Sequence, residues 1–196
     1  MANRPITPKE KEAWVFARNA HRGQLRKFID KPYFNAHVQK VNGIVKQYTT
    51  DEDLLCAALL HDVVEDCYED MEVGFSEIKR LFGSRVESIV RELTSLSDEI
   101  EHIYHGSKTE YLIDKMINMT DDALIVKLAD RLQNISDAFT AAERFRNKYF
   151  YETTEIIEQL EAHRNFNKIQ GLLINEIKTK LGNISSIFKI KRFRDI

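Results

Sequence analysis

Residues 54–66, LLCAALLHDVVED, join an apolar run to a cluster of ionisable side chains within one predicted helix. The run from Leu54 to Leu60 is too continuous for a helix with one face in water, so we expect this helix to lie centrally in the fold. Asp51 follows two threonines and is the expected N-cap of the helix. The stretch therefore predicts a core helix that ends in histidine and carboxylate side chains.

Helical spacing sets the arrangement of this polar end. It stacks His61 above Glu65 and Asp62 above Asp66, one turn apart. A solvated helix terminus would explain such a cluster. If the helix is buried up to His61, however, carboxylates this close together would repel each other unless a cation neutralised them. We therefore expect a metal ion at this position.

The composition favours helices over sheets, because glycine and proline are scarce, with 7 and 3 among 196 residues. A chain of this length suits one domain with a continuous hydrophobic core. We expect an all-α domain over residues 1–183, followed by a short basic tail over 184–196. The formal net charge of −2 argues against a nucleic-acid or membrane partner held by long-range attraction.

Cys56 and Cys67 are the only cysteines, and they lack the C-x-x-C spacing of zinc or redox sites. Two free thiols are typical of a reducing cytoplasm, which is the location we expect. The first residues contain no apolar signal segment, and the longest apolar run is far shorter than the roughly 20 residues that cross a bilayer. The oligomeric state is left open by the sequence.

Further helices are predicted on both sides of the central one. Thr7 followed by Pro8 marks the start of a first helix, and Thr120 is the expected cap of a later, long one. Residues 67–74 break the helical pattern, and residues 95–106 predict a long connection. The predicted helices cover about 8–22, 35–48, 51–66, 75–82, 84–93, 108–119, 121–139, 144–162 and 164–181.

A second polar row lies on the long helix that Thr120 caps, opposite an apolar stripe. The members of this row are Asp130, Asn134 and Asp137. Apolar neighbours leave little of the row to water, so we expect Asp130 to face inward. The alternative is a surface carboxylate paired with Arg131 or Lys127.

His37 lies on a predicted helix whose other face is apolar. A lone histidine there is more often a hydrogen-bonded core residue than a metal ligand. Taken together, three helices supply two histidines and two aspartates, a mixed set suited to Mn²⁺, Fe²⁺ or Zn²⁺ with open positions for water. The candidate ligands are His37, His61, Asp62 and Asp130.

Four segments in this order carry a family resemblance, which extends over about residues 15–160. They are AHRGQLRKFIDKPYFNAH, AALLHDVVED, EIKRLFGSRVESIV and VKLADRLQN. The His-Asp pair is common by chance, but HD-x-x-ED followed by KLADRL-x-N at this separation is specific. The chain resembles the HD-superfamily hydrolase domain of the RelA/SpoT alarmone enzymes and their small stand-alone relatives.

This resemblance implies an all-α HD-domain bundle around a central metal site. In it His37, His61, Asp62 and Asp130 hold Mn²⁺, with Fe²⁺, Zn²⁺ or Mg²⁺ as alternatives. Glu65 and Asp66 handle the attacking water. The implied nucleotide contacts are Arg26, Lys27, Asn134 and Tyr149. The implied reaction removes the 3′-pyrophosphate from ppGpp or pppGpp, so the expected partner is a small nucleotide.

The chain departs from the family pattern around the substrate pocket. One extra residue separates Tyr33 from His37, the segment before Pro32 is altered, the turn over 67–75 is longer, and RELTSLSD lacks a common lysine. Two alternatives therefore stay open. One is an HD phosphatase acting on a deoxynucleotide or on the 2′-phosphate of NADPH, and the other is a metal-free HD-like binding module.

Overall fold

The computed structural model describes residues 5–27 and 30–188, and this part of the chain is all-α, as predicted. The only β pairing among these residues is one antiparallel bridge between Leu25 and Pro32. The helices are α1 (Pro8–Ala20), a π-helix (Phe34–Val38) that continues into α2 (Gln39–Val45), α3 (Glu52–Leu60), α4 (Val63–Cys67), α5 (Met71–Phe82), α6 (Ser84–Leu93), α7 (Ser97–His102), α8 (Lys108–Asn118), α9 (Asp121–Ala138), α10 (Glu143–His163) and α11 (Lys168–Phe188).

The predicted helix caps form. Thr7 and Glu10 make a reciprocal capping box at the start of α1, with the Thr7 hydroxyl accepting from the Glu10 N–H at 3.2 Å. The Asp51 carboxylate accepts the Leu54 N–H of α3 at 3.0 Å, and Thr120 caps α9. These local bonds satisfy backbone donors that a helix leaves free in its first turn.

Four boundaries differ from the prediction. Helix α11 covers Lys168–Phe188, whereas the predicted range was 164–181. The helix expected over 51–66 is two helices, because the chain leaves helical geometry at Asp62, with φ −104° and ψ −4°. Residues 71–74 are helical, since the Asp70 carboxylate caps α5. The connection expected over 95–106 contains the short helix α7. Each difference arises from a cap or a tertiary position that the hydrophobic pattern does not encode.

Helix α9 lies at the centre of the bundle, where it packs against α2, α3, α6, α10 and α11. The apolar run of α3 is buried along its whole length, as predicted. Trp14 packs edge-on against Phe34, which ties α1 to the start of the π-helix. In the described part of the chain, we find no helix with the length and apolar character needed to cross a membrane.

The proposed domain boundary at residues 183 and 184 stays a prediction. Helix α11 continues to Phe188, with Ile184 buried against the core. The remainder of the predicted basic tail, 189–196, lies outside the described residues.

We predict that Leu128→Ala on α9 lowers the free energy of unfolding by about 2–5 kcal/mol, because this fully buried side chain leaves a cavity. Leu172→Ala is the matched control. Leu172 is 45% exposed on α11, so its loss is expected to change stability by at most about 0.5 kcal/mol. Urea unfolding measures both. Equal losses for the two variants would contradict the central position of α9.

Candidate functional site

The break between α3 and α4 places the side chains of His61 and Asp62 at the core. His61 Nδ1 lies 3.0 Å from the Ala58 carbonyl oxygen, which can only accept a hydrogen bond, so Nδ1 carries the proton. When His61 is neutral, as metal binding requires, the Nε2 atom therefore presents the lone pair on the other side of the ring. It lies 2.9 Å from Oδ2 of Asp62.

The π-helix supplies His37 to the same point. A π-helical turn accommodates one extra residue, which accounts for the longer spacing between Tyr33 and His37 seen in the sequence. His37 is buried, and its Nε2 lies 3.3 Å from Nε2 of His61 and 3.4 Å from Oδ2 of Asp62. The register that places His37 inward is therefore the one that the predicted ligand set requires.

Helix α9 contributes Asp130, which faces inward as predicted. Its Oδ1 lies 3.2 Å from His37 Nε2 and accepts a hydrogen bond from the Asn134 amide at 2.7 Å. The alternative pairing is present as well, because Lys127 Nζ lies 3.1 Å from the other carboxylate oxygen. Asp130 is therefore an interior carboxylate and an ion-pair partner at the same time.

Opposite charges in this cluster shift the pKa values of His61, Asp62 and Asp130. Burial disfavours the charged imidazolium, but the Asp62 carboxylate outweighs it and raises the pKa of His61 to about 8. Burial likewise opposes ionisation of Asp62, and the two histidines overcome it, so the pKa of Asp62 lies well below its usual range. The pKa of Asp130 is lowered by Lys127 and His37 despite its burial.

This donor set fits a divalent cation. Ligand atoms about 2.1 Å from one metal ion lie about 3.0–3.4 Å apart at tetrahedral or octahedral angles. The separations from His37 Nε2 to the other three groups fall at this spacing. His37, His61 and Asp62 offer ligand atoms that all lie within 4.8 Å of one another. Asp130 is outside this three-residue group and contacts it through His37. Two imidazole nitrogens with carboxylate oxygens suit borderline metals such as Mn²⁺, Fe²⁺ and Zn²⁺.

Tyr33 belongs to this cluster, although the sequence analysis did not select it. Its hydroxyl donates to Oδ2 of Asp62 at 2.6 Å, and its ring centroid lies 5.3 Å from that of His37. Burial and the Asp62 charge raise the pKa of Tyr33, so the hydroxyl stays protonated as a donor. Its position directly after Pro32, four residues before a candidate ligand, was the available signal.

A cavity of about 550 Å³ opens beside the cluster. Glu65 and Asp66 both line it, in different environments. The Ser95 N–H donates to Oε2 of Glu65 at 2.7 Å, which fixes that carboxylate at the wall. Asp66 is exposed at the mouth, and partial burial together with the charge of Asp62 raises its pKa to about 6.

All four predicted nucleotide contacts, Arg26, Lys27, Asn134 and Tyr149, line this cavity. The Arg26 guanidinium donates to the Asn134 side chain and to Asp137, with Nε 3.2 Å from the Asp137 carboxylate. Lys27 is exposed at the rim. Lys108 and Lys148, which were not predicted from the sequence, add positive charge to the cavity from α8 and α10.

Comparison with known proteins gives a consistent assignment. The model of the family described as HD domain matches residues 13–165. The chain is 32% identical over 190 residues to the guanosine-3′,5′-bis(diphosphate) 3′-pyrophosphohydrolase MESH1 of Drosophila melanogaster, covering 93% of this chain and 99% of that protein. It is 33% identical to the bifunctional (p)ppGpp synthase/hydrolase SpoT of Escherichia coli, covering 87% of this chain and 23% of SpoT.

A solved structure points the same way. A metazoan ortholog of SpoT that hydrolyses ppGpp superposes with a TM-score of 0.74 at 31% sequence identity. The match covers 92% of this chain and 99% of that one. The chain thus spans nearly all of the metazoan proteins and less than a quarter of SpoT.

We predict that Mn²⁺ at about 100 times its dissociation constant stabilises the protein by about 2.7 kcal/mol, raising Tm by about 5–10 °C. His61→Ala removes a ligand and should abolish this shift. The control is His163→Ala, an exposed histidine at the end of α10, which should keep the full shift. Thermal unfolding with and without Mn²⁺ measures both, and an undiminished shift in His61→Ala would contradict the ligand assignment.

Proposed function

Because this chain belongs to the HD-domain family, we propose that it is a metal-dependent hydrolase that removes the 3′-pyrophosphate from (p)ppGpp. The observation that supports the proposal is a cluster of two imidazoles and the Asp62 carboxylate, which Asp130 contacts through His37, beside a cavity lined by Glu65 and several cationic side chains. The end-to-end similarity to MESH1, which is named for this reaction, supports the choice of substrate.

In this proposal His37, His61, Asp62 and Asp130 hold the cation, which we propose to be Mn²⁺. When bound, the cation makes water a stronger nucleophile at neutral pH and draws charge from a phosphoryl oxygen. The Tyr33 hydroxyl orients the Asp62 carboxylate, and Asn134 orients that of Asp130. Such supporting hydrogen bonds fix the direction in which ligands point.

Glu65 accepts the proton of the attacking water, because its carboxylate faces the cavity and is held by a backbone N–H. Asp66, at the mouth of the cavity, orients that water or the leaving group. Two neighbouring carboxylates in unlike environments can divide the tasks of base and orienter in this way.

The substrate carries several negative charges, and the cavity offers cations to neutralise them. We assign phosphate contacts to Arg26 and Lys27, while Tyr149 provides an aromatic surface for the nucleotide and Asn134 a polar contact. Burial raises the pKa of Tyr149, which keeps its ring neutral. The expected partner is thus a small nucleotide, and we retain the cytoplasm as the proposed location.

A product assay with added Mn²⁺ tests the function. The expected result with ppGpp is one pyrophosphate released per GDP formed, with loss of activity in EDTA. The panel includes NADPH and deoxynucleotides. Release of orthophosphate from NADPH, or turnover of a deoxynucleotide in preference to ppGpp, would replace the proposal with an HD phosphatase. Binding of ppGpp without turnover would indicate a binding module.

We predict that Glu65→Gln retains bound metal but lowers kcat by about 100-fold or more, because the amide cannot accept the proton. Asp130→Ala loses both metal and activity. Glu69→Gln, an exposed residue in the turn after α4, is the matched control and should keep wild-type kcat. Metal content and steady-state kinetics measure these effects, and full activity in Glu65→Gln would rule out its role as base.

A further inference from the structure

The turn that follows α6 forms part of the cavity wall. Ser95 lies in this turn, lines the cavity, and donates its backbone N–H to Glu65. Thr94 is fully buried and Ser95 is 8% exposed, so the turn is packed inside the protein. The position of the Glu65 carboxylate therefore depends on the position of this turn.

Helix α8 holds the turn on both sides of Ser95. The Lys115 ammonium donates to the Thr94 carbonyl oxygen and, at 2.9 Å, to the Tyr111 hydroxyl. The Tyr111 hydroxyl in turn accepts the Leu96 N–H at 3.0 Å. One lysine thus connects, directly or through Tyr111, to the residues immediately before and after Ser95.

Burying the charged Lys115 ammonium at this position costs free energy. Burial and the charge of Lys127 on α9 together lower the pKa of Lys115 to about 8, although Glu65, Glu99 and Glu92 act in the opposite direction. A charged group taken out of water costs free energy unless hydrogen bonds and opposite charges compensate. Here the compensation consists of bonds to the turn itself.

We propose that Lys115 is a positioning residue for hydrolysis, holding the turn 94–96 so that the Ser95 N–H keeps the Glu65 carboxylate at the reaction site. Lys115 does not line the cavity. It connects to Glu65 through its hydrogen bonds to the turn 94–96. The proposal rests on the proposed function of Glu65 as base. It predicts that Lys115 affects turnover only through Glu65.

The first test is hydrogen exchange at the Ser95 amide, measured by NMR without substrate. In Lys115→Met the exchange is expected to accelerate by about 10-fold or more, because the turn opens more often. Lys115→Arg keeps a charged donor and should retain protection. Lys178→Met is the matched control, since Lys178 pairs with Glu161 at the surface of α11. Unchanged Ser95 exchange in Lys115→Met overturns the proposal.

The second test is a double-mutant cycle on kcat. Lys115→Met is expected to lower kcat about 10-fold with KM and metal content unchanged, but by less than about 2-fold in a Glu65→Gln background. An equal loss in both backgrounds means that Lys115 acts independently of Glu65, and the proposal fails. If Lys115→Met does not fold, Tyr111→Phe replaces it in the cycle. This variant removes the shared hydroxyl and is expected to show the same coupling to Glu65.

The two tests separate this proposal from the proposed function. If wild-type protein releases no pyrophosphate from ppGpp, the function is wrong, yet Ser95 exchange still decides whether Lys115 holds the turn. If wild-type protein is active and Ser95 exchange does not respond to Lys115→Met, the function stands and the positioning role is wrong.

Discussion

Two imidazoles and the Asp62 carboxylate meet inside a helical core, with the Asp130 carboxylate in contact with His37, and the rest of the structure holds these four groups together. Ionised Asp62 and Asp130 would repel each other in a medium from which water is largely excluded. The protein offsets this repulsion with the two histidine rings and with Lys127, which pairs with Asp130. The divalent cation that we propose for this site would add further compensation. The surrounding hydrophobic packing, with α9 at its centre, offsets the free energy needed to bury these charges.

Around this cluster, residues that are neighbours in the chain lie in different environments. Asp62 sits at the break between two helices and is directed into the core, whereas Asp66, one turn later, reaches the open mouth of the cavity. Glu65 lies between them and is fixed by a backbone N–H. The break after α3 therefore separates the residues that we propose to hold a cation from those that we propose to handle water, although they lie within a few positions in the chain.

The parts of the fold that could be predicted are those determined locally. Caps at Thr7, Asp51 and Thr120 follow from side chains that bond to the next turn of backbone, and the buried α3 follows from its uninterrupted apolar run. The helix break at Asp62 could not be predicted, because it depends on tertiary position. The π-helix before α2 was visible only as one extra residue in the spacing.

In the site, too, locally determined features were predictable and features that depend on tertiary packing were not. The inward direction of Asp130 was predictable from helical periodicity. For Tyr33 the only sequence signal was its position after Pro32, four residues before His37, and Lys115 had no such signal. The Tyr33 bond to Asp62 spans 29 positions, and the Lys115 bond to Thr94 spans 21. Contacts over such distances follow from the packing of whole helices and leave no local pattern.

The most direct measurement of the central claim is anomalous diffraction at the manganese edge from crystals grown with Mn²⁺. The account predicts one strong peak about 2.0–2.3 Å from Nε2 of His37, Nε2 of His61 and a carboxylate oxygen of each of Asp62 and Asp130. A map with no peak among these four side chains, or with manganese bound elsewhere in the cavity, would contradict it.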